Sequence, residues 1–296
     1  MRILAIANPE AGAGATRRRL PELQSLHGRS PHEFEWNLTA SADEMRERIR
    51  NARSAGFDAV VLIGGDGTVH EALPAVAAER LPLGIVPCGR GNDFARNLGL
   101  SLDPATNVFL NPVPARRRVD LPSVNGVPFG SIACIGLDAE VNRLARDGRG
   151  YFGGTLGYLI CVLRALPGFR SFDVEIRTGD RVWSGEILML AVANGASYGG
   201  GMRIAPMAIM DDGKLDVCIV EPLPKLELLR TLPRVFRGMH TTHPKVRMDS
   251  ASSVAVSCGE PHEIFADGEY AGSTPAVWAN SQQSLELLLP TGYRNG

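Results

Sequence analysis

Hydrophobic and polar positions fall into two regimes along this chain. Over the first hundred residues, short apolar runs alternate with stretches of helical character. Ile3-Leu4-Ala5-Ile6-Ala7 is an unbroken apolar run ending at Asn8-Pro9, which reads as a strand buried on both faces. Gly12 and Gly14 follow, and a helix is expected from about Thr16. Phe34-Glu35-Trp36-Asn37-Leu38 alternates and reads as a strand. Ser41-Ala42-Asp43-Glu44 is a capping-box pattern opening a helix that stops near Gly56. Ala59 to Ile63 is the next buried strand, with a helix to about Arg80. Leu83-Gly84-Ile85-Val86 is another strand, ending at Pro87, and Gly91-Asn92-Asp93-Phe94 opens a short helix. Strands alternating with helices at this spacing predict βαβ units, hence a parallel sheet with helices on both faces.

Near Pro112 to Asp120 the pattern changes. Glycine turns now separate β-type runs: Phe129 to Ile135, Phe172 to Ile176, Arg181 to Ala193, Lys214 to Val220, Lys245 to Val256, Glu263 to Phe265 and Leu285 to Leu289. Thr178-Gly179-Asp180 is a hairpin turn between two of them. Helical interruptions are expected at Leu156 to Leu166 and at Leu226 to Phe236, where Pro233 would kink or shorten the helix. The fold class is therefore an α/β domain over residues 1–118 followed by a mainly antiparallel β domain over 119–296. The last residues are free to return to the first domain.

A length of 296 residues suits one large domain or two ordinary ones, and 44% hydrophobic with 21% charged residues supplies a substantial core. The formal net charge of -1 gives no pull toward nucleic acid. Arg17-Arg18-Arg19 and Arg116-Arg117-Arg118 are short basic runs of the kind found on solvated faces or linker edges. The cysteines at 88, 134, 161, 218 and 258 are odd in number and never form a C-x-x-C pair. That argues for a reducing cytosol and against structural zinc. The first apolar run lacks a basic region before it and ends early at Pro9-Glu10, unlike a signal peptide. No run of about eighteen apolar residues is present to span a membrane.

The chemistry concentrates in three loops that follow strands on one edge of the expected sheet: Asn8 to Gly12, Gly64 to Glu71, and Pro87 to Asp93. Ligands of open α/β sheets bind at such strand ends. Gly64-Gly65-Asp66-Gly67-Thr68 is a glycine-rich turn between strand and helix, where backbone N–H groups can close on an anion. Asp66 within it repels bare phosphate, so it implies a bridging metal ion, or a water or donor that it orients. Asn8 and the glycines offer donors, Arg90 a positive charge, and Asp66 and Asp93 carboxylates for a hydrated metal. There is no G-x-x-x-x-G-K-[ST] P-loop and no protein-kinase signature set.

Five ordered motifs resemble the diacylglycerol kinase catalytic family, in particular bacterial lipid kinases related to sphingosine kinases. They are Asn8-Pro9 with Gly12; Gly64-Gly65-Asp66-Gly67-Thr68 with His70-Glu71; Gly91-Asn92-Asp93-Phe94-Ala95-Arg96; Gly199-Gly200-Gly201-Met202 with Ala205-Pro206, Asp211-Asp212-Gly213 and Leu215-Asp216; and Asp267-Gly268-Glu269. NAD kinases and phosphofructokinases share the Gly-Gly-Asp-Gly-Thr element alone. One departure stands out: Arg90 occupies a position where the family commonly has Thr or Ser.

The resemblance implies a nucleotide-binding α/β domain of NAD kinase and phosphofructokinase type, a β-sandwich, and ATP in the cleft between them. It implies that Asn8, Pro9, Gly12, Thr39, Gly64, Gly65, Asp66, Gly67, Thr68, His70, Glu71, Gly91 and Asn92 line the ATP site. Asp66, Asp93 and Asp120 match the acidic positions around catalytic Mg2+. Ile209 to Lys214, with Asp212 as side-chain ligand, resembles a separate structural metal site. Asp267 or Glu269 matches the catalytic base, and the motifs leave open which. The implied activity is transfer of the γ-phosphate of ATP to a lipid hydroxyl, most simply diacylglycerol, by a cytoplasmic protein with transient membrane-surface contact. A homodimer is compatible with this reading; nucleic acid is not a partner. Tyr151-Phe152 with Leu156 to Leu166, and Leu226 to Phe236 with Arg230, Arg234 and Arg237, are candidate apolar surfaces edged by charge. Alternatives are a kinase of a soluble hydroxyl compound such as NAD or a sugar, and a nucleotide sensor without turnover.

Overall fold

The computed structural model describes residues 1–101, 113–146, 154–280 and 283–290. The chain divides into two compact units: Met1–Val119 with Gln283–Gly296, and Asp120–Gln282.

The first unit is built on the strands β1 (Arg2–Ala7), β2 (Glu33–Leu38), β3 (Ala59–Gly64), β4 (Leu83–Pro87) and β5 (Ala115–Asp120), joined by β18 (Ser284–Leu289) from the far end of the chain. The sheet order is β2-β1-β3-β4-β18-β5. Neighbours from β2 to β18 pair in parallel. Burial follows the sequence pattern. The unbroken apolar runs of β1 and β3 are central strands with both faces covered, whereas alternating β2 is an edge strand that buries Phe34. The helices are α1 (Ala11–His27), α2 (Ala42–Ala52), α3 (Asp66–Glu79) and the short α4 (Asp93–Asn97). The capping box opens α2: Ser41 Oγ accepts from the Glu44 N–H (3.2 Å), and Glu44 reaches back to the Ala40 N–H (2.9 Å). Gly12, Ala13 and Gly14 have left-handed backbone, so regular helix in α1 begins only beyond them.

Leu285 to Leu289 follows the second unit in the chain but returns to this first sheet. Leu287 pairs with Leu83, and Leu287, Leu288 and Leu289 are buried. Arg116 of β5 and Glu286 of β18 add an ion pair at 2.7 Å.

The second unit is an antiparallel β-sandwich. One sheet contains β6 (Ser123–Val124), β7 (Val127–Pro128), β9 (Phe172–Thr178), β10 (Arg181–Ile187), β14 (Ser253–Cys258) and β17 (Ala276–Ala279), in the order β10-β9-β14-β17-β6-β7. The other contains β8 (Ile132–Gly136), β11 (Met189–Ala193), β12 (Leu215–Val220), β13 (Val246–Ala251), β15 (Glu263–Ala266) and β16 (Glu269–Ser273), in the order β13-β12-β11-β8-β15-β16. Trp278, Phe129, Val192 and Val254 belong to the core shared by the two sheets. A second core includes residues of β8, β11 and β12 together with α5 (Leu137–Arg146), α6 (Gly154–Ala165) and α7 (Lys225–Val235).

Three expectations need correction. Arg181 to Ala193 is two strands in different sheets, with the switch at Leu188, whose N–H donates to Val220 O (2.7 Å). Lys245 to Val256 divides in the same way between β13 and β14. α5 had no counterpart in the sequence reading. α7 runs through Pro233 to Val235, because the proline sits in the last turn. Gly179-Asp180 makes the two-residue link of the β9–β10 hairpin. Tyr151-Phe152 lies outside the described residues.

Candidate active site

Parallel pairing of β1 with β3 and of β3 with β4 sends three βα loops off the same edge of the sheet. The loops then touch through backbone. Gly12 lies against the Cys88 carbonyl with no room for a Cβ. A Cβ on Gly89 would sit 2.6 Å from Gly65 Cα and 2.8 Å from Asn92 Oδ1. Asn92, left-handed at φ 52 and buried, clamps this approach: its Oδ1 accepts from the Gly89 N–H (2.8 Å) and its Nδ2 donates to Gly89 O (2.9 Å). Asn8 Nδ2 reaches Thr68 Oγ1 at 3.5 Å, while Asn8 Oδ1 accepts from the Glu10 N–H (3.1 Å). Thr39 is buried and bonds back to Ala7 O through its N–H (3.0 Å) and hydroxyl (3.4 Å). Gly89→Ala is therefore expected to wedge two loops apart. Titration calorimetry with a non-hydrolysable ATP analogue should show affinity reduced more than tenfold.

Asp66 and Asp93 converge at Gly91. A Cβ there would lie 2.9 Å from Asp66 Oδ2 and 3.2 Å from Asp93 Oδ2. The other oxygen of Asp66 accepts from the Phe94 N–H (3.3 Å), and Arg96 Nε donates to Gly91 O (2.8 Å). Two carboxylates at one glycine are hard oxygen donors of the kind that could hold Mg2+, an ion that keeps several waters and takes phosphate oxygens as further ligands. Among the described residues no group of three or more His, Cys, Asp or Glu side chains could hold an ion by itself. An ion here would therefore depend on water and nucleotide.

The carboxylate of Glu71 forms an ion pair with Arg46 of α2, which also holds Asp43 at 2.6 Å. Arg46 belongs to no motif, and its contact with Glu71 across α2 and α3 had no signal in the sequence. Arg90 is exposed. Gly64, Gly65, Gly67 and Thr68 form the strand end and first turn of α3, and His70 lies in its second turn.

Models of two family domains match the chain: the diacylglycerol kinase catalytic domain over residues 2–122, and the YegS C-terminal NAD kinase beta sandwich-like domain over residues 131–289. The chain belongs to the diacylglycerol kinase family. A diacylglycerol kinase of Mycobacterium tuberculosis is 31% identical over 98% of this chain and 95% of its own length. One of Staphylococcus carnosus is 30% identical over 98% and 95%. A crystal structure of a diacylglycerol kinase from Bacillus anthracis shares the fold, with a TM-score of 0.72 at 21% identity over 99% of this chain and 98% of that one. As a member of the diacylglycerol kinase family, the protein is an ATP-dependent kinase acting on an alcohol group.

The family's remaining motifs lie in the second unit. Asp120 is held there: its Oδ2 accepts from the Gly213 N–H (2.8 Å), its N–H donates to Met210 O (2.7 Å), and Asn194 Nδ2 donates to its carbonyl (3.1 Å). This ties Asp120 to the Ile209 to Lys214 segment. Asp212 Oδ1 accepts from the Lys214 N–H (2.9 Å). Burial, and then the charge of Asp212, push the Asp216 carboxyl up to about 6. A cation in this loop would offset that repulsion, and the oxygen donors match a hard divalent ion.

Asp267 has left-handed backbone at φ 51 and a fully engaged carboxylate. Oδ2 accepts from the Gly130 N–H (2.6 Å), and Oδ1 accepts from the N–H groups of Ser131 (2.8 Å) and Ile132 (3.2 Å). Its own N–H donates to Ile132 O (2.9 Å). Asp267 thus pins the β15–β16 turn to the start of β8, and Glu269 follows as the first residue of β16.

A polar cluster of buried Asp138 with the half-buried Tyr158 and Tyr198 lies outside every motif read from the sequence. The Tyr158 hydroxyl donates to Asp138 Oδ1 and stands 3.1 Å from the Tyr198 hydroxyl. Burial pushes the Asp138 carboxyl and both phenols up. The cluster joins α5 and α6 to the Gly199 to Met202 turn, which packs on Tyr158.

Proposed function

We propose that the protein transfers the γ-phosphate of ATP to the hydroxyl of diacylglycerol or a closely related lipid. The convergence of Asp66 and Asp93 at Gly91, within three loops of a kinase-family fold, carries the phosphotransfer part. Full-length similarity to relatives named diacylglycerol kinase supports a lipid acceptor.

Phosphoryl transfer depends on positioning and charge neutralisation more than on covalent chemistry. In this reading the three loops bind the ATP phosphates, and Asp66 and Asp93 hold Mg2+ through water. When bound, the ion neutralises developing charge on the phosphate oxygens. The acceptor's proton passes to the Asp267 to Glu269 turn. The Ile209 to Lys214 loop, to which Asp120 is bonded, would hold a second, structural cation through Asp212. A surface-active protein contacting the membrane transiently fits such an acceptor.

The test is transfer of labelled γ-phosphate, with Mg2+, to diacylglycerol, sphingoid bases, ceramide, polyprenols, phosphatidylglycerol, NAD and sugars. Labelling of diacylglycerol is the expected result. Labelling only of NAD or sugars would sink the lipid reading, and ATP binding without transfer to any acceptor would indicate a sensor.

A further inference from the structure

Two segments of the second unit lie side by side and leave an apolar surface exposed. Arg203 to Met210 is one, and Leu228 to His240 is the other. The Arg203 N–H donates to Val235 O (3.1 Å), and His240 Nε2 lies 3.0 Å from Ile204 O. Gly238 sits so close to Pro206 that a Cβ would fall 2.8 Å from the proline Cβ. The residues following this contact on each side are Met207 and Met239. They are 79% and 48% exposed, and Phe236 nearby in the second segment is 37% exposed.

The charge on the two segments has one sign. Together they hold Arg203, Arg230, Arg234 and Arg237, with no Asp or Glu. Arg203 and Arg234 bond to Pro206 O (3.4 Å) and Thr242 Oγ1 (2.8 Å), respectively, so neither is neutralised by a carboxylate in those contacts. The closest acids in sequence are Glu227, which is bonded to His243 (3.0 Å), and the Asp211-Asp212 pair that starts the Gly213 turn. Exposed apolar side chains grouped together mark an interaction site. Long apolar side chains among arginines match the interfacial region of an anionic bilayer, where each basic residue adds attraction.

We propose that the face formed by Met207, Phe236 and Met239, with its arginines, docks this protein on anionic lipid surfaces. The proposal rests on the lipid-acceptor reading and names where that acceptor is met. No helix among the described residues is long and apolar enough to cross a membrane, so contact through this face is peripheral. Met207 and Met239 would enter the headgroup layer, and the arginines would hold lipid phosphates.

The experiment is co-sedimentation of the full chain with phosphatidylglycerol or phosphatidylcholine vesicles, for wild type and for the Met207→Asp, Met239→Asp double variant. A second variant, Arg230→Glu with Arg237→Glu, changes only charge. Thermal unfolding checks that each variant folds. Wild type should bind phosphatidylglycerol vesicles at least tenfold more tightly than phosphatidylcholine, with high salt removing the difference. Each variant should lose about tenfold or more of that affinity. Phosphorylation of a short-chain, water-dispersed diacylglycerol should stay at the wild-type rate while activity on vesicle-embedded acceptor falls. Vesicle binding unchanged in both folded variants overturns the proposal. So does a wild type that ignores vesicles, or a dimer in analytical ultracentrifugation that the methionine substitutions split. Vesicle binding needs no turnover, so if no lipid is phosphorylated but the binding result holds, only the acceptor reading fails.

Discussion

Asp66→Asn should reduce phosphotransfer by roughly a thousandfold, about 4 kcal/mol of lost transition-state stabilisation, while leaving the melting temperature nearly unchanged. The two effects separate because the two oxygens of Asp66 have different tasks. Oδ1 accepts from the Phe94 N–H, and an asparagine carbonyl can keep that bond. Oδ2 faces Gly91 together with a carboxylate oxygen of Asp93, where the negative charge would serve a cation. An amide there cannot balance a divalent ion. Asp93→Asn should give a loss in the same direction, since it too removes one carboxylate of the pair. The measurement is steady-state transfer of labelled phosphate across a Mg2+ series, beside calorimetric unfolding. Wild-type activity in Asp66→Asn would remove the carboxylate pair from the mechanism.

The second large effect is expected at Asp267, and there stability and activity should fall together. Asp267→Ala orphans the buried N–H groups of Gly130, Ser131 and Ile132 and places alanine in left-handed backbone. At roughly 1–3 kcal/mol for each unsatisfied donor, three donors give a loss of about 3–9 kcal/mol, on the order of 10 °C or more in melting temperature. Asp267→Asn keeps the backbone preference but turns an amide NH2 toward an N–H, so it should lie between alanine and wild type. Loss of activity at this position cannot by itself assign a base. Glu269→Gln separates the roles, because it leaves the three-bond clamp intact. If Glu269 accepts the proton, this variant loses activity at wild-type stability. If it keeps full activity, Glu269 is not the proton acceptor. Unfolding temperature and initial rate on the same preparations decide between these results.

The first unit was legible to the extent that burial dictates residue type. Central β1 and β3 cannot afford a polar side chain on either face, so their runs announce position as well as structure. Loop convergence followed, since consecutive parallel strands deliver their loops to one edge. The sandwich was harder. A strand in either sheet alternates in the same way, so nothing in Arg181 to Ala193 marks the transfer at Leu188. α5 is a short helix placed directly after β8, whose run reads as strand and masks where the helix begins. Carboxylate roles were the least legible. Asp66, Asp93 and Asp120 are equivalent as letters, yet Asp120 is engaged by the Gly213 N–H, ninety-three residues away. Asp267 reads as a catalytic acid or a hairpin turn. Its clamp on Gly130 spans 137 residues, beyond any local pattern.

The placement of β18 between β4 and β5 also bears on how the protein is made. All of the second unit lies between β5 and β18 in the chain. During synthesis the nucleotide-binding sheet therefore emerges with a gap, and β4 and β5 wait as unpaired edges while the entire sandwich is translated. The sandwich can close first; the unit that appears first at the ribosome is completed last. A nascent chain lacking β18 has no finished phosphate-binding half, so nucleotide capture is deferred until β18 has been made. A tag or truncation at the C-terminal end would accordingly be felt at the opposite end of the chain, in the loops that follow β1, β3 and β4.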